Sequence, residues 1–174
     1  ARIAPLLYRY DDDREALLAA VRQQTQLTHN NPATLAGAEF IAKVVFEVMA
    51  GADPAAAMEQ VLEEGVADID LDIRIRSALD SASKESRGVI KQFGQVCGIA
   101  AALPGALHLV LRYQDDLQTA LVENVMAGGD SAARGMVVGM LLGAHLGPAA
   151  IPESWLSGMI ASARIRSLLA QIDT

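Results

Sequence analysis

Residues 128–147 read GGDSAARGMVVGMLLGAHLG. The adjacent Gly128 and Gly129 let the chain turn sharply. Asp130 follows where its side chain can cap free backbone N–H groups, and apolar residues then run to Leu146. Gly135, Gly139, Gly143 and Gly147 recur at every fourth position, on one stripe of a helix. Each glycine in a helix interior costs about 1 kcal/mol against alanine. A run of them in register therefore predicts another helix lying at close range along that stripe. The spacing has the form of membrane GxxxG packing. The apolar run from Met136 to Leu146 is nevertheless well short of the roughly 20 residues that span a bilayer.

Helix signals recur on both sides of this segment. Asp115 or Asp116 can cap a helix that turns Leu117, Leu121 and Val125 inward, and Pro104 opens the helix before it. Asn31-Pro32 and Asp53-Pro54 each join a cap to a proline at the first helical position, with stops at Gly51 and Gly65. Asp11 or Asp12 caps a helix running to about Gln26, with Leu17, Val21 and Thr25 on one face. Pro152 starts a helix carrying Trp155, and a last helix ends near Ile172. Ile69, Leu71, Ile73 and Ile75 alternate with charged residues, a strand-like pattern, yet Leu71, Ile75 and Leu79 also follow helical spacing. A lone strand has no partner elsewhere in the chain, so helix is expected there. The expectation is an all-α, single-domain multi-helix bundle of roughly eight helices over residues 1–174.

Composition agrees. Of 174 residues, 52% are hydrophobic and only 4% aromatic, so the apolar mass is mostly small and aliphatic, which suits packed helices better than strands. The net charge of −7, without a basic run, argues against nucleic acid or an anionic membrane as partner. Cys97 is the only cysteine, which excludes an intrachain disulfide and a cysteine-based zinc cluster. It reads as a small core residue in a reducing compartment. With no signal-peptide pattern before Asp11, Asp12 and Asp13, a cytoplasmic location is the default.

At Asp130 the residues leave two readings open. It is a plain helix cap, or its outward carboxylate oxygen ligates a hard cation such as Mg2+. Arg134 stands four residues on, placed to reach back and pair with Asp130. Ser131 has no histidine near in sequence to activate it, so a nucleophilic serine is a poor reading. His108 and His145 read as packing residues, and His29 as a helix-end histidine.

The order of several segments resembles the ADP-ribosylglycohydrolase family. That family carries a GGDTDT turn, a glycine-rich helix and then an IPxxW segment. Here Gly128 to Gly147 is followed by Ile151-Pro152-Glu153-Ser154-Trp155. Upstream, Thr25-Gln26-Leu27-Thr28-His29-Asn30 is similar to the family's T-x-x-T-H element, and Ala1 to Leu6 to its R-x-x-P-L segment. The resemblance implies an all-α fold and hydrolysis of ADP-ribosyl N- or O-glycosidic bonds with two Mg2+ ions. It places His29 near the cleft.

The departures matter as much. The family's early Thr-Asp-Asp motif would precede Ala1, so the chain is expected to lack the N-terminal part of the domain. Asp130 matches the first aspartate of the late motif and Ser131 the adjacent threonine. Ala132 and Ala133 stand where the second aspartate and threonine belong, and neither has an oxygen to offer a metal. The implied ligand-binding set is Asp130, Ser131, Arg134 and His29, with Asp130 the one metal candidate and Mg2+ weakly held or absent. Arg134 would supply the positive charge that a metal supplies in the family. Two functions follow: an ADP-ribosyl hydrolase, or a non-catalytic helical binding or assembly module. The implied partners are an ADP-ribose-like ligand, and either a second copy or the N-terminal segment to cover otherwise bare apolar faces.

Overall fold

The computed structural model describes residues 2–172, and among them every regular element is helical, in eleven α-helices. Residues α1 (Ala4–Arg9), α2 (Arg14–Gln26), α3 (Pro32–Met49) and α4 (Pro54–Glu64) form the first half. They are followed by α5 (Ile69–Leu79), α6 (Ser86–Phe93), α7 (Ile99–Arg112), α8 (Leu117–Met126) and α9 (Ser131–Leu146). A single 3-10 turn (Pro148–Ala150) leads to α10 (Glu153–Gly158) and α11 (Ser162–Ile172).

Helices α3, α7 and α9 pack on one another and form the centre. Ala42, Val44, Leu107, Leu109, Val138 and Leu141 there are essentially inaccessible to water. Helix α3 buries residues on most of its circumference, as a central helix must. Around this centre α2 and α4 lie on α3, α5 and α6 on α7, and α8 on α9. The helix starts are side-chain capped: Asn31, Asp53, Asp68, Asp116 and Asp130 each accept a bond from a first-turn N–H. Such caps are worth about 1 kcal/mol each. At α2 the cap is Asp13, not Asp11 or Asp12; its carboxylate accepts from the Ala16 N–H at 2.9 Å.

The alternating segment at 69–75 is helical. Leu71, Ile75 and Ala78 of α5 are buried while Ile69 and Ile73 face water. The charges that mimic a strand pattern are i,i+4 ion pairs, Asp70 with Arg74 and Asp72 with Arg76, both at 2.7 Å.

Several expectations need correction. Pro104 lies inside α7 rather than at its start; Gly98 is the N-cap. Proline leaves the Ala100 carbonyl without its helical donor, and Arg74 Nη1 donates to that carbonyl at 3.4 Å instead. Val125 is 62% exposed, so α8 turns Leu117, Ala120 and Asn124 inward but not Val125. The glycine stripe of α9 is not packed along its length. A Cβ on Gly135 would meet Asn124 Nδ2 at 2.9 Å, but Gly139 and Gly143 have nothing within 4 Å, and Gly147 lies past the helix end. The inward face of α9 is instead Arg134, Val137, Val138, Leu141 and Leu142, because bulkier apolar side chains gain more from burial than glycine does.

The C-terminal part differs from the rest. Pro152 caps α10 and α11 ends at Ile172, yet neither helix has a single buried residue. Among the described residues no helix is long and apolar enough to cross a membrane.

Candidate functional site

A cavity of about 480 Å3 opens where the end of α2, the starts of α3 and α7 and the start of α9 converge. Ile3, Ile41, Ile99, Met136 and Val137 make its apolar wall. Arg2, Thr28, His29, Cys97 and Asp130 bring the polar groups. A volume of this order suits a small organic ligand.

Asp130 reaches the wall because of the turn before it. Gly128 and Gly129 both take positive φ (69° and 68°), conformations that side chains disfavour. A Cβ on Gly129 would stand 2.2 Å from the Gln95 carbonyl oxygen, so the close approach itself demands glycine. The Gln95 carbonyl accepts from the Asp130 N–H at 2.9 Å, and Gln95 Nε2 donates to the Ala127 carbonyl at 2.6 Å. The α6–α7 loop thus clamps the turn. Asp130 Oδ1 accepts from the Ala133 N–H at 3.2 Å, the expected cap.

Arg134 does not pair with Asp130, contrary to expectation; no ion pair joins them among the described residues. Its side chain runs inward and is 1% exposed. Nε donates to Asn124 Oδ1 at 3.1 Å, and Nη2 donates to the Asn124 carbonyl at 3.1 Å and to the Gly128 carbonyl at 2.6 Å. Asn124 Nδ2 in turn donates to the Ser131 carbonyl at 2.8 Å. The reason is competition: backbone carbonyls turned inward by the glycine turn are nearer and unsatisfied, and leaving them so would cost more than a solvent-screened pair contributes. Burial lowers the Arg134 pKa, opposed by the Asp130 charge.

At the opposite wall, Arg2 Nη2 donates to Thr28 Oγ1, and His29 Nδ1 lies 2.8 Å from the same oxygen.

His29 and Asp130, about a hundred residues apart in sequence, therefore line one cavity, while Ser131 and Arg134 stand behind it. Cys97 was expected in the core and is exposed on the cavity rim. It sits in the loop before Gly98 that clamps the Asp130 turn, not on an inward helix face. His108 is fully buried, between Ser81 Oγ at 2.8 Å and Ser86 Oγ at 3.0 Å. His145 is half-buried near the end of α9 and away from the cavity. Asn124 and Gln95 escaped the sequence reading. The signal was present for Asn124, a polar residue on the inward stripe of α8.

The ADP-ribosylglycohydrolase family pattern matches residues 1–173. The chain belongs to the ADP-ribosylglycohydrolase family. Among its relatives, Crystallin J1A of Tripedalia cystophora is 28% identical over 158 residues, which is 90% of this chain and 48% of that protein. Crystallin J1B of the same organism is 25% identical over 173 residues, 99% of this chain and 52% of that protein. The chain spans about half the length of the curated relatives it matches.

The donors of this ADP-ribosylglycohydrolase chain do not fit a pair of metal ions. Among the described residues no group of three or more His, Cys, Asp or Glu could hold one. Ala133 lines the cavity beside Asp130 without an oxygen to offer, and Ala132 faces solvent.

Proposed function

We propose that the cavity binds an ADP-ribose-like ligand, and that this chain alone is a binding unit rather than a complete hydrolase. The observation that carries the reading is the convergence of His29 and Asp130 on one apolar-walled cavity. The chemistry is complementary at each wall. Asp130 keeps a carboxylate oxygen for ribose hydroxyls, Arg2 and the His29 ring offer polar partners to a diphosphate, and Ile41, Ile99 and Met136 suit the flat face of a base. Family hydrolysis of an ADP-ribosyl glycosidic bond relies on a metal pair to position ribose and water. The donors here support at most a weak single Mg2+ at Asp130, so ligand binding is expected without metal.

The second reading is a non-catalytic assembly module. Its support is the apolar surface left bare: Val122, Val125 and Met126 on α8, Met136 on α9, and Ile165 and Leu168 on α11. Association with a second copy or with a further family segment would cover these. A cytoplasmic location suits the free thiol of Cys97.

Calorimetric titration with ADP-ribose, with and without Mg2+, tests the first reading. Binding in the absence of Mg2+, weakened about tenfold or more (about 1.4 kcal/mol) by Asp130→Asn, is expected. Asparagine keeps the cap and removes the charge. No binding under either condition overturns the ligand. Tight uptake of two Mg2+ ions, lost in Asp130→Asn, overturns the metal-free reading. Sedimentation at micromolar concentration tests assembly, and a clean monomer counts against it.

A further inference from the structure

Among the described residues Arg134 is the largest fully buried side chain, and it carries a charge. It is 99% removed from water, yet no carboxylate lies within ion-pair distance of it among the described residues. Its Nη1 has no hydrogen-bond partner. A buried cation without a counter-ion is expensive, and an arginine whose stem merely filled space would be better replaced by methionine or leucine. What the side chain does hold is specific. Nη2 gathers two carbonyls, those of Asn124 at the end of α8 and Gly128 in the turn. Nε fixes the Asn124 amide, whose other end reaches the Ser131 carbonyl in the first turn of α9. One side chain thereby ties the last turn of α8, the glycine turn and the first turn of α9 into a closed ring. Of that segment Asp130 and Ala133 line the cavity, and Asp130 alone brings a polar side chain to it. Gly105 of α7 gives the stem its room: a Cβ there would stand 3.2 Å from Arg134 Cδ.

We propose that Arg134 is the positioning residue of the cavity: its planar fork locks the turn that presents Asp130, without itself touching a ligand. This rests on the reading of the cavity as a ligand site. It goes beyond that reading by assigning the rigidity of the Asp130 wall to one buried side chain. The fork matters as well as the charge. A lysine could reach one carbonyl but not hold the Asn124 amide and the Gly128 carbonyl at once.

The test compares Arg134→Lys with Leu109→Ala, a core truncation in α7 that touches none of the hydrogen bonds of the ring. Amide hydrogen exchange is followed in residues 128–133 and, as an internal reference, in α3. In Arg134→Lys the turn amides are expected to exchange at least about tenfold faster than in Leu109→Ala, after both are scaled to α3. Turn amides that merely follow α3 in both variants overturn the proposal. If Arg134→Lys does not fold, Asn124→Ala removes the same ring from its other member and is expected to loosen the same amides; unchanged turn protection there overturns it. ADP-ribose titration supplies the functional arm. Arg134→Lys should bind at least about tenfold more weakly than Leu109→Ala, and equal affinity overturns the positioning role. Should the wild-type chain not bind ADP-ribose, the ligand reading falls, while the exchange measurement still decides the role of Arg134.

Discussion

Arg134 and His108 are both buried polar residues in the same helical core, and they are solved in opposite ways. His108 is neutral and fully partnered. The Ser81 hydroxyl gives its proton to the Ala78 carbonyl, so its oxygen accepts from His108 Nδ1–H, and Nε2 lies 3.0 Å from the Ser86 hydroxyl, which also reaches the Tyr113 hydroxyl. Burial first, and the Arg112 charge second, lower the His108 pKa to about 4. Arg134 cannot shed its proton, keeps one nitrogen unpartnered, and gives Nη2 to two main-chain carbonyls and Nε to the Asn124 amide oxygen. The His108 network joins α7 to Ser81 in the α5–α6 connection and to Ser86 at the start of α6, and none of these residues lines the cavity. The Arg134 ring surrounds the segment that presents Asp130. At the Arg134 position a charge stands where an apolar side chain would cost less to bury, and what the charge holds is the turn.

Removing the charge should break this contrast most severely. Arg134→Met leaves the Asn124 and Gly128 carbonyls and the Asn124 side-chain oxygen without donors. The expected loss is about 3–5 kcal/mol, at about 1–3 kcal/mol per buried unsatisfied group less the gain from an apolar stem. Urea denaturation measures it. A loss below about 1 kcal/mol would mean that water reaches the ring and that Arg134 is no more costly to remove than a surface residue.

Acid should break the other half. His108 has a folded pKa of about 4 against an ordinary 6.5. A depressed histidine contributes stability that is complete above pH 6.5 and is lost as pH falls toward 4. The full difference is about 3 kcal/mol, from about 1.4 kcal/mol per pKa unit. The charged groups facing it are Arg112, which opposes protonation, and Glu85, which favours it. Urea midpoints between pH 7 and pH 4.5 should therefore decline in the wild type and flatten in His108→Asn. Equal slopes in the two proteins would show that other groups carry the acid response.

The glycine turn sharpens the comparison at a smaller scale. Gly129→Ala puts a methyl 2.2 Å from the Gln95 carbonyl in a left-handed conformation. At least about 2 kcal/mol is expected, from the 1–2 kcal/mol strain of a side chain in that region plus the displaced loop. Gly128→Ala meets only the end of the Gln95 side chain at 3.4 Å and should cost less. A reversed order, read from thermal midpoints, would mean that the α6–α7 loop yields easily and does not clamp the turn.

Much of this fold could be read from residues alone, because helix starts have local chemistry. Asn31-Pro32, Asp53-Pro54 and Asp130 cap the helices expected of them, and the ion-paired charges of α5 explain why a period-two pattern is still helical. The errors came where a local signal competed with a tertiary one. Pro104 is tolerated inside α7 because Arg74 serves the carbonyl it orphans. Arg134 had an obvious i+4 partner in Asp130 and chose carbonyls brought close only by the folded turn. At the site, His29 and Asp130 were legible through motif order and Asn124 through its place on the inward stripe of α8, whereas Gln95 acts from a loop whose approach no spacing encodes.

The glycine stripe carries the smallest expected effect and the sharpest disagreement between pattern and structure. Gly139 and Gly143 have room for a methyl group on every side. In an isolated chain, Gly139→Ala and Gly143→Ala should each stabilise by about 0.5–1 kcal/mol, since alanine loses less backbone entropy on becoming helical and nothing obstructs its Cβ. Gly135→Ala, against Asn124 Nδ2 at 2.9 Å, should not share the gain, because the crowded atom belongs to the Arg134 ring. The pair Gly139→Ala and Gly143→Ala therefore reports on what lies against α9 in solution. Stabilisation with an unchanged sedimentation coefficient means that the stripe is bare. Destabilisation, together with a drop in sedimenting mass, means that a second copy packs its backbone against these glycines, as their spacing in the sequence suggests.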